Sequence, residues 1–156
     1  MRLVFCGSAA GTRSAQARAY YAGPGNLFWE VLHRIGLTKR KFVPREYPLL
    51  INCRIGLTDM VKKSIGNDGD LVPADFQPTL FRAKIQHYRP LVVGFNGKRA
   101  AQEFYGYPVQ YGLQAEGIDS TVVFVLPSTS GAARGFWDET YWVALAEWLN
   151  KIEGSL

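Results

Sequence analysis

The sequence predicts one α/β domain, residues 1–156, with a mostly parallel central sheet covered by helices on both faces. Three observations carry that prediction. The runs "LVFC" (3–6), "LVVGF" (91–95) and "TVVFVLP" (121–127) are short and almost wholly apolar, as strands buried on both faces are. The stretches between and after them place apolar residues at helical spacing, so strands and helices alternate. The chain has 156 residues, 47% of them hydrophobic and 20% charged, enough to bury one core and too apolar for disorder. There are no repeats, low-complexity tracts or linkers.

The elements follow in order. Leu3 to Cys6 is the first strand. From Asn26 onward Phe28, Val31, Leu32 and Ile35 recur on one helical face and stop before Gly36. The basic, proline-containing stretch "TKRKFVPREYPL" (38–49) reads as an irregular crossing, and "RIGLTDMV" (54–61) as a second turn. After a Gly/Asn/Asp loop at 66–70, Phe81, Ile85 and Tyr88 mark a helix ended by Pro90. "LVVGF" is the next strand, and "NGKRAAQEFYG" a loop feeding a helix. "TVVFVLP" is followed by a small-residue loop. Asp138 is placed to cap the last helix, whose apolar stripe is Trp142, Leu145, Leu149 and Ile152.

Composition narrows the function classes. No apolar run approaches the length of about 18 residues that a membrane-spanning helix needs. The N-terminal apolar run is too short for a secretory leader, so a cytoplasmic protein is expected. Cys6 and Cys53 are too few for a four-thiolate cluster and read as small buried residues in a reducing compartment. The net charge of +5 suits a polyanionic partner without requiring one.

In a parallel sheet, ligands bind beyond the carboxyl ends of the strands. Three loops emerge there: "GSAAG", "NGK" and "PSTSGAARG". Gly, Ser and Ala let backbone N–H groups come close to a phosphate or a planar ring. Tyr20 and Tyr21 offer rings to stack on, and Arg13, Arg18, Lys98 and Arg134 offer cations. This is what binding an extrahelical base needs. A nucleotide or sugar-phosphate pocket, or plain tight turns, would read the same way. A complete G-x-x-x-x-G-K-[ST] is absent, which argues against a P-loop.

Four ordered stretches resemble the mismatch-specific uracil/thymine-DNA glycosylase branch of the uracil-DNA glycosylase superfamily. "LVFCG", a small loop, "SA" and "YAGPGNLFW" are similar to its first motif region, and "GLTDMV" to its G-[IFV]-T-N-[ML]-V segment. "VVGFNGK" is similar to a strand-loop of some members, and "VLPSTSG" to the second motif, [LM]-P-[NS]-x-S-[GA]. The resemblance implies a three-layer αβα sandwich that flips uracil out of DNA and hydrolyses its N-glycosidic bond. It implies no metal and no cofactor. The expected partner is uracil-containing DNA, single- or double-stranded, met by a monomer with no membrane association.

The first motif departs from the family. Where the family reads G-I-N-P-G, this chain has Gly7-Ser8-Ala9-Ala10-Gly11, so Ala9 replaces the Asn that positions the hydrolytic water. Asn is only a hydrogen-bonding amide, so its work is positioning, and positioning can move to another residue. Either the water is held elsewhere, or the protein binds uracil without cutting. Asp59, at the place of the Asn in G-x-T-N, is the first catalytic candidate, because a carboxylate there could hold water or stabilise a cationic sugar. Its other reading is an N-cap for "MVKKS". Ser14 is the second candidate.

The resemblance also distributes the other roles. Tyr21 is expected to stack on uracil, or to be a core aromatic. Asn96 is expected to read the base edge, or to stabilise its loop. Ser8, Ala9 and Ala10 are expected to offer backbone N–H groups to a uracil carbonyl. Ser128, Ser130, Lys98 and Arg134 are the expected DNA contacts, with Arg134 the one large group in "AAR" able to fill the gap left by a flipped base. His33 and His87 have no partner at metal-ligand spacing and read as structural.

Overall fold

The computed structural model describes residues 1–9, 16, 18–61 and 71–156. Strand β1 (Leu3–Gly7) is buried along its whole length, as its uninterrupted apolar run requires. It lies between β2 (Ile55–Asp59) and β3 (Val92–Asn96), parallel to both. β5 (Val122–Leu126) continues the parallel set beside β3, and the two-residue β4 (Gly112–Leu113) closes that edge antiparallel to β5. The five-stranded order is therefore β2-β1-β3-β5-β4.

Alternate residues of each strand feed two cores. Leu3 and Phe5 point to a face covered by α1 (Phe28–Arg34) and α4 (Glu139–Glu153), where Phe28, Val31, Leu32, Trp142, Leu145 and Leu149 are buried. Val4 and Cys6 point to the opposite face. There α2 (Pro78–Tyr88) and α3 (Lys98–Tyr105) bury Phe81, Ile85, Ala100, Ala101 and Phe104. Helices on both sides of a mostly parallel sheet make the expected αβα sandwich. An aromatic stack lies in the first core, with Phe5 edge-on to Phe28 at 5.3 Å and against Trp142 at 5.4 Å.

Several expected details hold. The helix α1 ends before Gly36, and at its start Asn26 Oδ1 accepts from the Phe28 N–H at 3.0 Å. Asp138 Oδ1 accepts from the Thr140 N–H at 3.0 Å and caps α4. The expected crossing holds a 3-10 helix, Pro44–Cys53, started by Glu46, whose carboxylate accepts from the Val43 N–H at 2.9 Å. Cys6 is buried as expected, Cys53 is only half-buried, and neither forms a disulfide among the described residues. At the amino end of the sheet, Glu153 takes Arg2 at 2.9 Å and Arg54 at 2.6 Å, tying α4 to the start of β1.

The expected turn at "RIGLTDMV" is instead strand β2. Gly56, Thr58 and Asp59 break the apolar run, so the stretch carries no strand signature of its own. Its extended state comes from pairing with β1, residue for residue from Leu3↔Ile55 to Gly7↔Asp59. The loop at 66–70 lies outside the described residues. Among the described residues no helix is long and apolar enough to cross a membrane.

Candidate active site

Because β1, β2, β3 and β5 are parallel, their carboxyl ends meet at one edge of the domain. The register sets Gly7 beside Asp59, Cys6 beside Phe95 and Asn96 beside Leu126. Asp59 ends β2 and is buried. Ladder bonds continue past it, with the Met60 N–H donating to Gly7 O at 2.8 Å and the Val61 N–H to Ser8 O at 2.7 Å. The Asp59 backbone is thereby held against β1. Of the segment that Asp59 could cap, Met60 and Val61 carry these ladder bonds, and residues 62–64 lie outside the described residues.

Gly7 lets the carboxylate lie close against the β1 backbone. A Cβ at this position would stand 3.0 Å from Asp59 Oδ1 and 3.5 Å from the Tyr21 hydroxyl. Tyr21 itself is half-buried, with its ring stacked on Phe28 at 4.0 Å and 28°. Its φ of +53° puts a non-glycine residue in the left-handed region, a conformation that costs on the order of 1–3 kcal/mol and tends to occur at functional sites. The Tyr21 hydroxyl is buried and has no hydrogen-bond partner among the described residues. Burial first, and the Asp59 charge second, push this phenol well above its ordinary range. The same two causes, in the same order, raise Tyr20. Both therefore stay protonated at neutral pH.

Asn96 is buried in the next strand and locked to a residue 33 positions away. Its Nδ2 donates to Thr129 Oγ1 at 2.9 Å, and its Oδ1 accepts from the Thr129 N–H at 3.0 Å. Asn96 lies near the Tyr21 hydroxyl and weakly opposes its upward shift, but falls outside hydrogen-bonding geometry with it. Among the described residues the second Asn96 amide N–H has no acceptor in hydrogen-bonding geometry, and the Tyr21 hydroxyl is its polar neighbour.

The serine loop is laced to the entry loop. Thr129 O accepts from the Leu27 N–H at 2.9 Å, and Arg134 Nη2 donates to Gly25 O at 2.9 Å. A side chain at Gly131 would meet Pro24 O at 2.8 Å, so only glycine permits that approach. Ser128 Oγ accepts from the Ser130 N–H at 3.2 Å, and Ser130 Oγ from the Ala132 N–H at 3.3 Å. Each hydroxyl keeps its own proton to donate.

The remaining expected site residues fall as follows. Lys98 starts α3 on the same edge, with its ammonium 4.4 Å from the centre of the Tyr111 ring. Ser8 is buried, and Ala9 packs its methyl against the second core. Ala10, Arg13 and Ser14 lie outside the described residues. His33 Nδ1 lies 3.3 Å from Thr38 O, and His87 is exposed beside Tyr88. Among the described residues no three His, Cys, Asp or Glu side chains are grouped to hold a metal ion. Gly7, Thr129 and Phe136 were not singled out in the sequence. Phe136 is 74% exposed two residues beyond Arg134, and a phenylalanine so close to "AAR" was the signal available.

A buried carboxylate, a stacked tyrosine and a serine loop thus lie at or beyond the carboxyl ends of the parallel strands of an α/β protein. Residues 1–149 match the family model of the uracil DNA glycosylase superfamily, and the chain belongs to that superfamily. Among solved structures it is similar to the solution NMR structure of a provisionally assigned uracil DNA glycosylase from Methanosarcina acetivorans. The two share 23% identity with a TM-score of 0.62, over 96% of this chain and 91% of the other. At that identity the likeness speaks for the fold.

Proposed function

We propose that the protein is a uracil-DNA glycosylase of the mismatch-specific type, acting as a monomer in the cytoplasm, which flips uracil out of DNA and hydrolyses its N-glycosidic bond. Asp59 does the work of the missing Asn. The observation that carries this reading is the buried Asp59 carboxylate beside Gly7, its backbone held against β1 by the ladder bonds that continue through Met60 and Val61. As the bond between sugar and base breaks, positive charge grows on the sugar. A carboxylate about 4 Å away favours that charge by up to about 4 kcal/mol at an effective dielectric near 20.

The flipped base stacks on Tyr21, whose other neighbour is Phe28. The spare Asn96 N–H and the backbone of Ser8 and Ala9 meet the base edge. Ser128, Ser130, Lys98 and Arg134 take the flanking phosphates, and Ser14 is the second candidate for holding the water. Arg134 is tied to Gly25, so Phe136 is the more available bulky group on that loop.

A gel assay tests the reading: uracil-containing DNA, single-stranded, U:A and U:G, is incubated with the protein and then cleaved with alkali. Strand breaks at uracil are expected. Ala9, with its methyl turned into the core, favours a second reading, a protein that binds uracil in DNA without excising it. Tight binding to the same substrates with no breaks would select that one.

A further inference from the structure

We propose that Tyr111 and Tyr141, with Lys98 beside them, form a second station for DNA, where an unpaired base near the flipped uracil stacks. The protein thereby grips single-stranded DNA at two bases and duplex DNA at one. The inference rests on the reading that the flipped uracil lies against Asn96.

The sheet places the station. Asn96 is in register with Leu126, and β4 runs antiparallel to β5 with Gly112 opposite Val125. Tyr111, just before Gly112, therefore stands level with Leu126 at the carboxyl end of β5. Two strand spacings of about 4.8 Å set its backbone about 10 Å from that of Asn96. That is roughly three base steps of a B-form strand at about 3.4 Å each, and fewer in an unstacked one. Lys98 bridges the interval. It follows Asn96 closely in the chain, and its ammonium lies 4.4 Å from the centre of the Tyr111 ring.

The two rings come from opposite layers and meet at this edge. Tyr111 packs on the second core, and Tyr141, in the first turn of α4, packs on the first. Their centres are 5.3 Å apart at 42°, and a Cβ on Gly112 would lie 3.6 Å from the Tyr141 ring. Gly112 has a φ of +100°, which a side chain there would oppose. Both tyrosines are half-buried, and neither hydroxyl makes a hydrogen bond among the described residues. Leucine would serve core packing as well. Neighbouring rings with a cation over one of them suit a base and its phosphate. Among the described residues Lys98 has no carboxylate partner, so its charge is open to a phosphate. The acids that begin α4 are engaged, Asp138 as the cap and Glu139 with Arg34. A base in a duplex must give up its pairing to reach the rings, whereas an unpaired base has none to lose.

Tyr111→Leu and Tyr141→Leu test the station, since both keep apolar bulk and remove a ring. Affinity is measured for one oligonucleotide carrying a cleavage-resistant 2′-fluoro-deoxyuridine, alone and paired with its complement, beside thermal melting. Each variant should bind the single strand roughly five- to a hundredfold more weakly. Duplex affinity and melting temperature should stay near parental. Tyr111→Phe, which keeps the ring, should bind the single strand as the parent does. Parental single-strand affinity in both leucine variants overturns the station. Equal losses on the two DNAs, or a loss shared by Tyr111→Phe, overturn it as well. Excision from a uracil-containing duplex by the parent is scored separately: its absence overturns hydrolysis, and the single-strand losses still decide the station.

Discussion

Replacing Thr129 with Val should destabilise the protein by about 2–3 kcal/mol, far more than its small change in shape suggests. Thr129 is 1% exposed and Asn96 8%. Valine fills nearly the same volume and keeps the backbone bond from the Thr129 N–H to Asn96 Oδ1. What it removes is the acceptor for Asn96 Nδ2 at 2.9 Å. A hydrogen bond of this kind is worth about 1 kcal/mol net, but leaving its buried donor without a partner costs about 1–3 kcal/mol, and the burial of both residues puts this pair in the upper part of that range. In a domain of this length each kcal/mol moves the melting temperature by about 2–4 °C, so a fall of about 5–10 °C is expected. Urea unfolding is the assay, and the midpoint should drop with an unchanged slope. Because Thr129 O also takes the Leu27 N–H, the serine and entry loops should loosen together and DNA affinity should fall. A variant that unfolds at the parental midpoint would refute the claim that this pair fastens the site.

Other perturbations probe other links. Arg134→Ala should weaken DNA binding and make its dependence on log salt shallower by about one unit or less, as expected for one phosphate contact; an unchanged slope removes Arg134 from the contacts. Tyr21→Ala should lose the stacking platform, worth about 1–3 kcal/mol per base, and with it affinity for uracil DNA; a fold that collapses while its refolded fraction keeps full activity would make Tyr21 a core residue only. Glu46 is held down to about 2 by its hydrogen bond with Arg40 and then by the Val43 N–H. A carboxylate depressed in the folded state adds stability above its unfolded value of about 4.3 and loses it as pH falls through about 2. Melting temperatures of the parent and Glu46→Gln should thus differ near pH 6 and converge towards pH 2, whereas a constant gap would contradict the assignment.

What was legible in the sequence follows from how local each signal is. "LVFC" and the Asp138 cap need no distant partner, and both stand in the structure as read. β2 was not legible, because Gly56, Thr58 and Asp59 hide it until β1 lies alongside. β4 is two residues long and exists through β5. The site divides in the same way. Asp59, Tyr21, Asn96 and Ser128 were legible through the family resemblance, and the structure sets Asp59 and Asn96 at the ends of β2 and β3. The lock between Asn96 and Thr129 was not, nor was the close approach of the Asp59 carboxylate to Gly7, because each joins segments far apart in sequence. The left-handed φ of Tyr21 has no glycine or asparagine to announce it.

The central claim is that Asp59 supplies what Ala9 lacks, and Asp59→Asn tests it most directly. The swap keeps size and hydrogen bonding but removes the charge. Single-turnover excision of uracil should slow by up to about a thousandfold, the equivalent of about 4 kcal/mol, while affinity for uracil-containing DNA stays near parental. Adding Ala9→Asn to that variant should restore part of the rate. Excision by Asp59→Asn at the parental rate would contradict the account.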